Sequence, residues 1–229
     1  MFRLLKLRPP HGWNAVGWEL AIVTLGVVIA LGAQEFVQSL HWKSEVRQTR
    51  QALDAELSRD FAAFRYRLDQ NDCIIARAEE LLKWGKSLQT NKPIKLKHPL
   101  VAPPGFAIRT EVWDLIEGDI ASRIPLKDRL NYAGLYSGMR GFDSRTSEEG
   151  EMWTAIAEYE EATALSGGDA RKLLLAANGL IGMSQRLPAW NTTMSRQARE
   201  LGLVPDANLL KTANPIIPQI REAACEPYL

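Results

Sequence analysis

The segment Leu20–Ala33 reads LAIVTLGVVIALGA, and the rest of the chain is organised around it. It contains no charged residue, and Glu19 and Glu35 flank it. A membrane span needs about 20 predominantly apolar residues, so the uncharged run is short. On a helix that rises about 1.5 Å per residue, the two glutamates would be about 24 Å apart. Because a hydrocarbon core is about 30 Å thick, both carboxylates would lie near its edges, where a charge costs least.

Tryptophans accompany this apolar run, as they do at membrane–water interfaces. Trp13 and Trp18 come before it, and Trp42 follows it. Together with Glu19 and Glu35, they form the predicted membrane interface of the protein. The sequence therefore predicts a single transmembrane helix over residues 13–42, with the lipid bilayer as its first partner.

Two other interpretations of the apolar run stay open. A cleaved signal peptide has a run of this length, and Ala30-Leu31-Gly32 could serve as its cleavage site. A buried core helix of a soluble protein is the third possibility. The span is favoured because the helical pattern continues past the cleavage site without a turn signal.

Flanking charge does not orient the predicted span. Basic residues lie on both sides of it, so the positive-inside rule is balanced; they are Arg3, Lys6 and Arg8 before the span and Lys43, Arg47 and Arg50 after it. Residues 1–12 are expected to form a cytoplasmic basic tail, an orientation that rests on the cysteines considered below.

Gly26 and Ala30 form a small-x-x-x-small pair within the span. Such a pair lets two helices approach closely, which would suit a homo-oligomer. Small residues are also common in spans without any such contact, and this is the simpler explanation.

No glycine or proline occurs between Ala33 and Trp84, so the span is predicted to continue as one long helical stalk. Apolar residues recur at spacings of three and four, which is typical of one helix face; they are Leu53, Leu57, Phe61, Phe64, Leu68, Ile75, Ala78 and Leu82. Asn71 interrupts this stripe. It would either fix the register of a coiled coil or be a satisfied polar group at the end of a bundle.

Residues 43–229 are predicted to form the stalk and an antiparallel helical bundle, so the fold class is all-α. A proline-rich, basic loop is expected over residues 89–109, and an anionic partner is one possible role for it. A short helix is predicted from Thr110 to Gly118, with another beginning at Pro125 and a possible break near Gly150. Pro188 should bend or end the next helix, and Gly202 should stop its continuation.

Cys73 and Cys225 are the two cysteines of the chain. They could be unrelated buried thiols, but a disulfide between them is favoured. Such a bridge would close a loop of about 150 residues and could contribute about 5 kcal/mol in the chain-entropy model. It would require an oxidising compartment, which places the bundle in the periplasm.

Composition and motifs exclude several function classes. The chain has 28 basic and 27 acidic residues, so its net charge of +1 gives no bulk support for nucleic-acid binding. Motifs of zinc proteases, serine hydrolases and nucleotide-binding proteins are missing from the sequence. We therefore expect no enzymatic activity, no cofactor and no metal. Two groups of glutamates are interpreted as solvated helix faces: Glu148, Glu149 and Glu151, and Glu158, Glu160 and Glu161.

The pattern E-x-x-x-V-x-x-G-x-x-I-A-L runs from Glu19 to Leu31. With the charged helix that follows it, and the segments Tyr132–Tyr136 and Glu151–Trp153, it resembles a group of bacterial proteins with one N-terminal span and a helical domain of unknown function. The resemblance implies an inner-membrane protein but no activity and no functional residue.

These observations lead to the expectation of a membrane-anchored helical interaction or scaffold protein, with a protein partner or a second copy bound to it. The main alternative is a single-span sensor or accessory subunit that binds a partner or small ligand in the periplasm. A secreted helical protein with a cleaved signal peptide is the further alternative.

Overall fold

A computed structural model of the protein describes residues 12–90, 92–116, 118–209 and 216–229. Within these ranges the chain is helical, without a strand, which confirms the all-α prediction. The helices are α1 (Gly12–Leu68), α2 (Asn71–Gln89), α3 (Glu111–Leu115), α4 (Gly118–Arg123), α5 (Leu126–Ala157), α6 (Gly167–Leu201) and α7 (Ile216–Cys225).

The chain divides into two compact units, Met1–Thr49 and Arg50–Leu229. The described part of the first unit is the beginning of α1, and its side chains from Val16 to Leu40 are exposed. The predicted basic tail over residues 1–12 lies, apart from Gly12, outside the described residues. The described part of the first unit is thus a helix whose apolar side chains from Val16 to Leu40 are exposed.

The prediction of one uninterrupted helix from Ala33 to Trp84 is wrong, because a turn divides this segment into two helices. α1 ends at Leu68, and a turn at residues 69–70 separates it from α2. The helical period begins again after the turn, so some of the buried positions of α2 lie one residue earlier than the pattern of α1 predicts. The buried residues after the turn include Ile74, Ala78 and Leu81, whereas Ile75 and Leu82 are half-buried.

Helix α6 runs antiparallel to α2. Asn71, at the start of α2, bonds to Ser184 of α6, while Gly85 near the end of α2 lies against Leu173. Residue numbers therefore rise along one helix as they fall along the other. α5 and α6 are antiparallel in the same way, since Asn131 bonds to Glu200.

Helix α5, in contrast, runs parallel to the second half of α1. The phenol of Tyr132 donates to Asp54, and Glu149 pairs with Arg67. Residue numbers therefore rise in the same direction along α5 and α1. Parallel neighbours require a long crossover connection, because the chain must first return along the bundle. This requirement explains the length of the connection between α2 and α5.

The crossover segment, residues 92–110, returns along α2 and α1 in reverse order. The amide of Ile94 donates to Ser87 Oγ at 3.0 Å. Further on, the ring of Phe106 packs edge-on against Tyr66 with centroids 5.3 Å apart. The predicted proline-rich loop is therefore an ordered cover on the bundle.

One apolar cluster of the core lies between α2, α5 and α6, and it includes a tyrosine from beyond α7; buried residues of α1, among them Leu57 and Phe64, also belong to the core. The side chains of this cluster are fully or almost fully buried, which is the apolar burial that stabilises the bundle. They are Ile74, Ala78, Leu81, Trp84, Leu88, Trp153, Ile156, Leu173, Ala177, Leu180 and Tyr228.

Several predicted helix ends shift. The helix after Thr110 ends at Leu115, and Gly118 begins α4 instead of ending the first helix. α5 begins directly after Pro125 and continues through Gly150 without a break. Gly202 does end α6, in the left-handed conformation with φ 75°, which glycine adopts at little cost.

Pro188 neither ends nor interrupts α6, which continues to Leu201. A proline has no N–H, so the carbonyl of Ser184, four residues earlier, lacks its usual helical donor. The side-chain amide of Asn71 donates to that carbonyl at 2.8 Å. Asn71 is thus a satisfied polar group that compensates for a proline inside the bundle, and of the two predicted effects of Pro188 the helix end is wrong.

Candidate functional site

Three of the predicted membrane-interface residues, Trp18, Glu19 and Glu35, have exposed side chains on α1, whereas Trp42 is half-buried. Trp18 is 71% exposed, and Glu19 and Glu35 are also exposed. Trp42 follows the apolar stretch, next to His41. Trp13 belongs to the same helix, but its side chain lies outside the described part of the structure.

Within the described residues, one helix is long and apolar enough to cross a membrane, and the most apolar part of it is not buried in the protein. Gly26 and Ala30 lie in this part, and both are exposed. A Cβ atom added at Gly26 would meet no other atom within 4 Å. The helix surface around Gly26 is therefore open to a neighbour.

Cys73 of α2 and Cys225 of α7 form a disulfide bond, with Cα atoms 5.3 Å apart and a sequence separation of 152. The bond fastens α7 and the residues after it to α2. Tyr228 then enters the core, where it is completely buried.

Tyr228 holds the crossover segment in place. Its hydroxyl lies 3.2 Å from both the amide nitrogen and the carbonyl oxygen of Val101. Its carbonyl accepts from the amide of Lys97 at 3.0 Å, and its own amide donates to Glu80 at 2.8 Å. Burial raises the pKa of the Tyr228 phenol, so the hydroxyl keeps its proton and can donate to Val101. The disulfide, the tyrosine and the crossover segment thus form one connected assembly.

Asp60 of α1 holds the other end of the crossover segment. Its carboxylate accepts a hydrogen bond from the amide of Arg109 at 3.1 Å, and the side chain is 1% exposed. Burial raises the pKa of Asp60 to about 7, and the nearby carboxylates of Glu56 and Glu111 act in the same direction. The positive charge of Arg59 and the Arg109 amide oppose this rise. Asp60 is therefore a titratable anchor.

Between these two anchors, the crossover segment covers a cavity of about 140 Å³. Residues 102–106 form one side of it, and α1 and α5 form the rest. Apolar and aromatic groups dominate the wall: Ala102, Pro103, Pro104, Phe106, Phe142 and Trp153. Ala102, Gly105 and Gly150 are exposed members of the lining.

A buried ion pair contributes the charged part of the lining. Arg67 Nε donates to Glu149 Oε2 at 2.9 Å, and Arg67 Nη2 donates to Glu149 Oε1 at 2.7 Å. The two side chains are only 3% and 6% exposed. Arg67 also donates to Ser184 Oγ and to Asn71 Oδ1, at 3.1 and 3.5 Å. The charges of Arg67 and Glu149 are thus neutralised within the protein.

Glu149 corrects the interpretation of its glutamate cluster as a solvated face. Its neighbour Glu148 is exposed, but Glu149 is buried. The signal was present in the sequence, because Phe142, Glu149 and Ile156 are seven residues apart and therefore share one helix face. The pairing of Arg67 with Glu149 could not be predicted in this way, because the two residues are distant in sequence and the alignment of α1 with α5 must be known first.

Thr146 and Trp153 complete the lining, and the Thr146 hydroxyl donates to carbonyls of its own helix. Trp153 is 3% exposed, and its indole N–H finds no acceptor among the described residues. A buried donor left unpaired costs about 1–3 kcal/mol. The indole nitrogen has no accessible surface, so Trp153 lines the cavity with the apolar part of its ring system.

A larger cavity of about 500 Å³ lies at the basic start of the crossover segment. Lys95, Lys97 and His98 line it, but so do Glu160 and Glu161. Lys97 is engaged through its ammonium group with the carbonyl oxygen of Leu229. The mixed charge of this lining does not favour the anionic partner suggested by the lysines alone.

Among the residues that the structure describes, no three His, Cys, Asp or Glu side chains are grouped as a metal site would require. Comparison with known protein families, with curated proteins and with solved structures finds no match. The fold and the cavity define an all-α protein with an uncovered apolar helix and a disulfide-fastened bundle.

Proposed function

We propose that this protein is a membrane-anchored helical scaffold, in which α1 crosses a bacterial inner membrane and the bundle binds a protein partner in the periplasm. The supporting observation is the stretch from Val16 to Leu40, whose apolar side chains are uncovered. Exposing so many apolar side chains to water is unfavourable, at about 25 cal/mol per Å². A lipid bilayer removes that cost.

The Cys73–Cys225 disulfide supports the periplasmic side of the proposal. Disulfides persist in oxidising compartments such as the bacterial periplasm and are rare in the cytosol. The short segment before α1 then lies in the cytoplasm.

Membrane extraction tests the anchor. The full chain should stay with the membrane pellet after alkaline carbonate washing. Val28→Arg places a charge inside the uncharged run, at a cost of about 3 kcal/mol at the centre of a span, and should reduce membrane retention. Leu126→Arg, at an exposed position of α5, is the matched control and should not. A soluble protein with a new N-terminus near Ala33 would replace the anchor by a signal peptide.

An alkaline phosphatase reporter, joined to the C-terminus by a flexible linker, tests the orientation. The reporter needs its own disulfides and should be active, because it would lie in the periplasm. An inactive reporter, together with two free thiols on the denatured protein, would overturn the periplasmic assignment.

Association through the span is the specific form of partnership that Gly26 and Ala30 suggest. Gly26→Ile should weaken cross-linked dimers in membranes, because a large side chain separates two helices that approach closely. Gly17→Ile is the matched control, since an added Cβ meets no atom within 4 Å at either glycine. Equal dimer yields in both variants would exclude this contact and leave the bundle as the binding surface.

A further inference from the structure

We propose that residues 106–116 form a pH-sensitive flap, which detaches from α1 when the buried carboxyl group of Asp60 loses its proton. The flap comprises the end of the crossover segment, helix α3 and the residue after it. This inference goes beyond the scaffold function, because it gives the bundle a conformational response to its surroundings. It rests on the burial of Asp60, on the charges around it and on the weak attachment of the flap.

The two carboxyl oxygens of Asp60 differ in their hydrogen bonding. Oδ2 accepts from the amide of Arg109 at 3.1 Å, whereas Oδ1 is buried and has no partner among the described residues. An ionised carboxylate accepts several hydrogen bonds in water, and burying it with fewer of them is unfavourable. The neutral acid has a smaller cost of burial, so this environment favours the protonated form.

The charged groups around Asp60 act in both directions. On its own helix, the carboxylate of Glu56 disfavours ionisation and the guanidinium of Arg59 favours it. On the flap, the carboxylate of Glu111 disfavours ionisation as well. Helix α5 contributes the phenol of Tyr136; burial raises its pKa, so it stays neutral and donates to Glu56 at 2.7 Å. Two negative charges therefore oppose one positive charge, and their balance adds to the effect of burial.

Burial outweighs the hydrogen bond from the flap. Burial raises the pKa of Asp60 and the Arg109 amide lowers it, with the result that the pKa is about 7 while the flap is closed. In the open state the carboxyl group would be solvated, and its pKa would return toward the ordinary value of 3.8. The closed state therefore binds the proton more tightly, so a rise in pH through this interval favours the open state.

The flap, and not α1, is the part that moves. Helix α1 is fixed at this point by Leu57 and Phe61, which are buried before and after Asp60. In contrast, every residue from 106 to 116 is half-buried or exposed. Segments that bury little apolar surface open locally at a low cost in free energy. Solvation of the Asp60 carboxylate is therefore reached most easily by detachment of the flap.

Further contacts join the flap to α1 and α5, and detachment would break them. They are the hydrogen bond from the Val112 amide to Glu56, the ion pair of Asp114 with Arg140, and the ring contacts of Phe106 with Tyr66 and of Trp113 with Tyr136. Because two of these contacts are between aromatic rings, an open flap would expose aromatic surface on both helices. The proton on Asp60 thus controls access to that surface.

Amide hydrogen exchange of the full chain in nanodiscs tests the flap, with each rate divided by the intrinsic rate at the same pH. Between about pH 5 and pH 7.5, the protection of the Arg109 and Val112 amides should fall by roughly 50- to 100-fold, as the closed and open pKa values of Asp60 imply. The amide of Ile94, which donates to Ser87 Oγ at the other end of the crossover segment, should keep its protection. If the ionised carboxylate acted only by strengthening its hydrogen bond, the protection of Arg109 would rise with pH, and the proposal would be overturned.

Asp60→Asn should abolish this pH dependence and keep the Arg109 and Val112 amides protected at neutral pH, because its side chain cannot ionise. Glu111→Gln retains Asp60 but removes a nearby negative charge, so the fall in protection should become smaller. Asp143→Asn removes the same charge at an exposed position of α5 and should change nothing. An unchanged fall in Asp60→Asn, or equal results for Glu111→Gln and Asp143→Asn, would overturn the proposal. None of these outcomes depends on whether α1 spans a membrane, so failure of this inference and failure of the anchor are distinguishable.

Discussion

The side-chain amide of Asn71 donates to the backbone carbonyl of Ser184 at 2.8 Å, and Pro188 is the residue that leaves this carbonyl without a helical donor. The contact joins the first residue of α2 to the middle of α6. A proline that would disrupt an isolated helix is therefore tolerated because a different helix supplies the missing hydrogen bond.

Replacing Asn71 with alanine should lower the free energy of unfolding by about 1–3 kcal/mol, because it leaves the buried Ser184 carbonyl unpaired. In a Pro188→Ala background the loss should be smaller by about 1 kcal/mol, since the alanine N–H can donate to the same carbonyl. Urea denaturation of the four proteins in the cycle measures this coupling. Identical losses in both backgrounds would show that the two residues act independently.

Removing one member of the buried ion pair should be costly. Glu149→Gln leaves the Arg67 guanidinium buried beside a neutral group and should lower the free energy of unfolding by about 3–5 kcal/mol. The double variant Arg67→Met with Glu149→Leu should recover most of that loss, because apolar side chains of similar size need no charge partner. Glu148→Gln is the control, since that carboxylate is exposed; its effect should stay within about 0.5 kcal/mol.

Stability should depend on pH through Asp60. The pKa of this carboxyl is about 7 in the folded protein and near 3.8 when unfolded, so the folded state binds the proton more tightly. The contribution of Asp60 to stability is therefore greatest below pH 4, falls as the pH rises to 7, and is constant above that. The difference should be at most about 4 kcal/mol, because each tenfold change in proton affinity corresponds to about 1.36 kcal/mol.

Asp60→Asn tests this source of pH dependence, because the amide cannot ionise but can still accept from Arg109. The variant should be more stable than the parent at pH 8 and should lose most of the slope between pH 4 and 7 in thermal unfolding. Asp143→Asn, at an exposed position of α5, should retain the slope. A parent protein with no slope in this interval would contradict the assignment.

Loss of the disulfide should loosen the crossover segment at one end only. In the Cys73→Ser, Cys225→Ser double variant, the amides of Lys97 and Val101 should exchange with solvent faster, because Tyr228 is no longer fastened beside them. The amide of Arg109 should keep its protection, since Asp60 holds it independently. Global stability should fall by up to about 5 kcal/mol. Equal acceleration at all three amides would indicate general unfolding instead.

The amino-acid pattern predicts much of this fold. The apolar run around Gly26, the helix stop at Gly202 and the helix start after Pro125 follow from local rules. The turn at residues 69–70 contains neither glycine nor proline and carries no such signal. Asp69, Asn71 and Asp72 favour turns and helix starts, but such residues are also common on exposed helix faces, so they did not fix the place of the turn.

The cavity was harder to predict, because its parts come from three separate regions. Arg67, Glu149 and residues 102–106 meet only because α5 runs parallel to α1 and the connection must return between them. The sequence indicates neither that direction nor the pairing. Glu149 alone carried a readable signal, through its position between Phe142 and Ile156.

The Arg67–Glu149 pair also places a restriction on how this protein can diverge. A single change at either position leaves a charge buried alone, so the two sites should evolve as a couple. In descendants of this chain, we expect both charges to persist, to exchange places, or to disappear together in favour of apolar residues. Such correlated substitutions would indicate that α1 and α5 are parallel neighbours even in related proteins whose sequences are otherwise dissimilar.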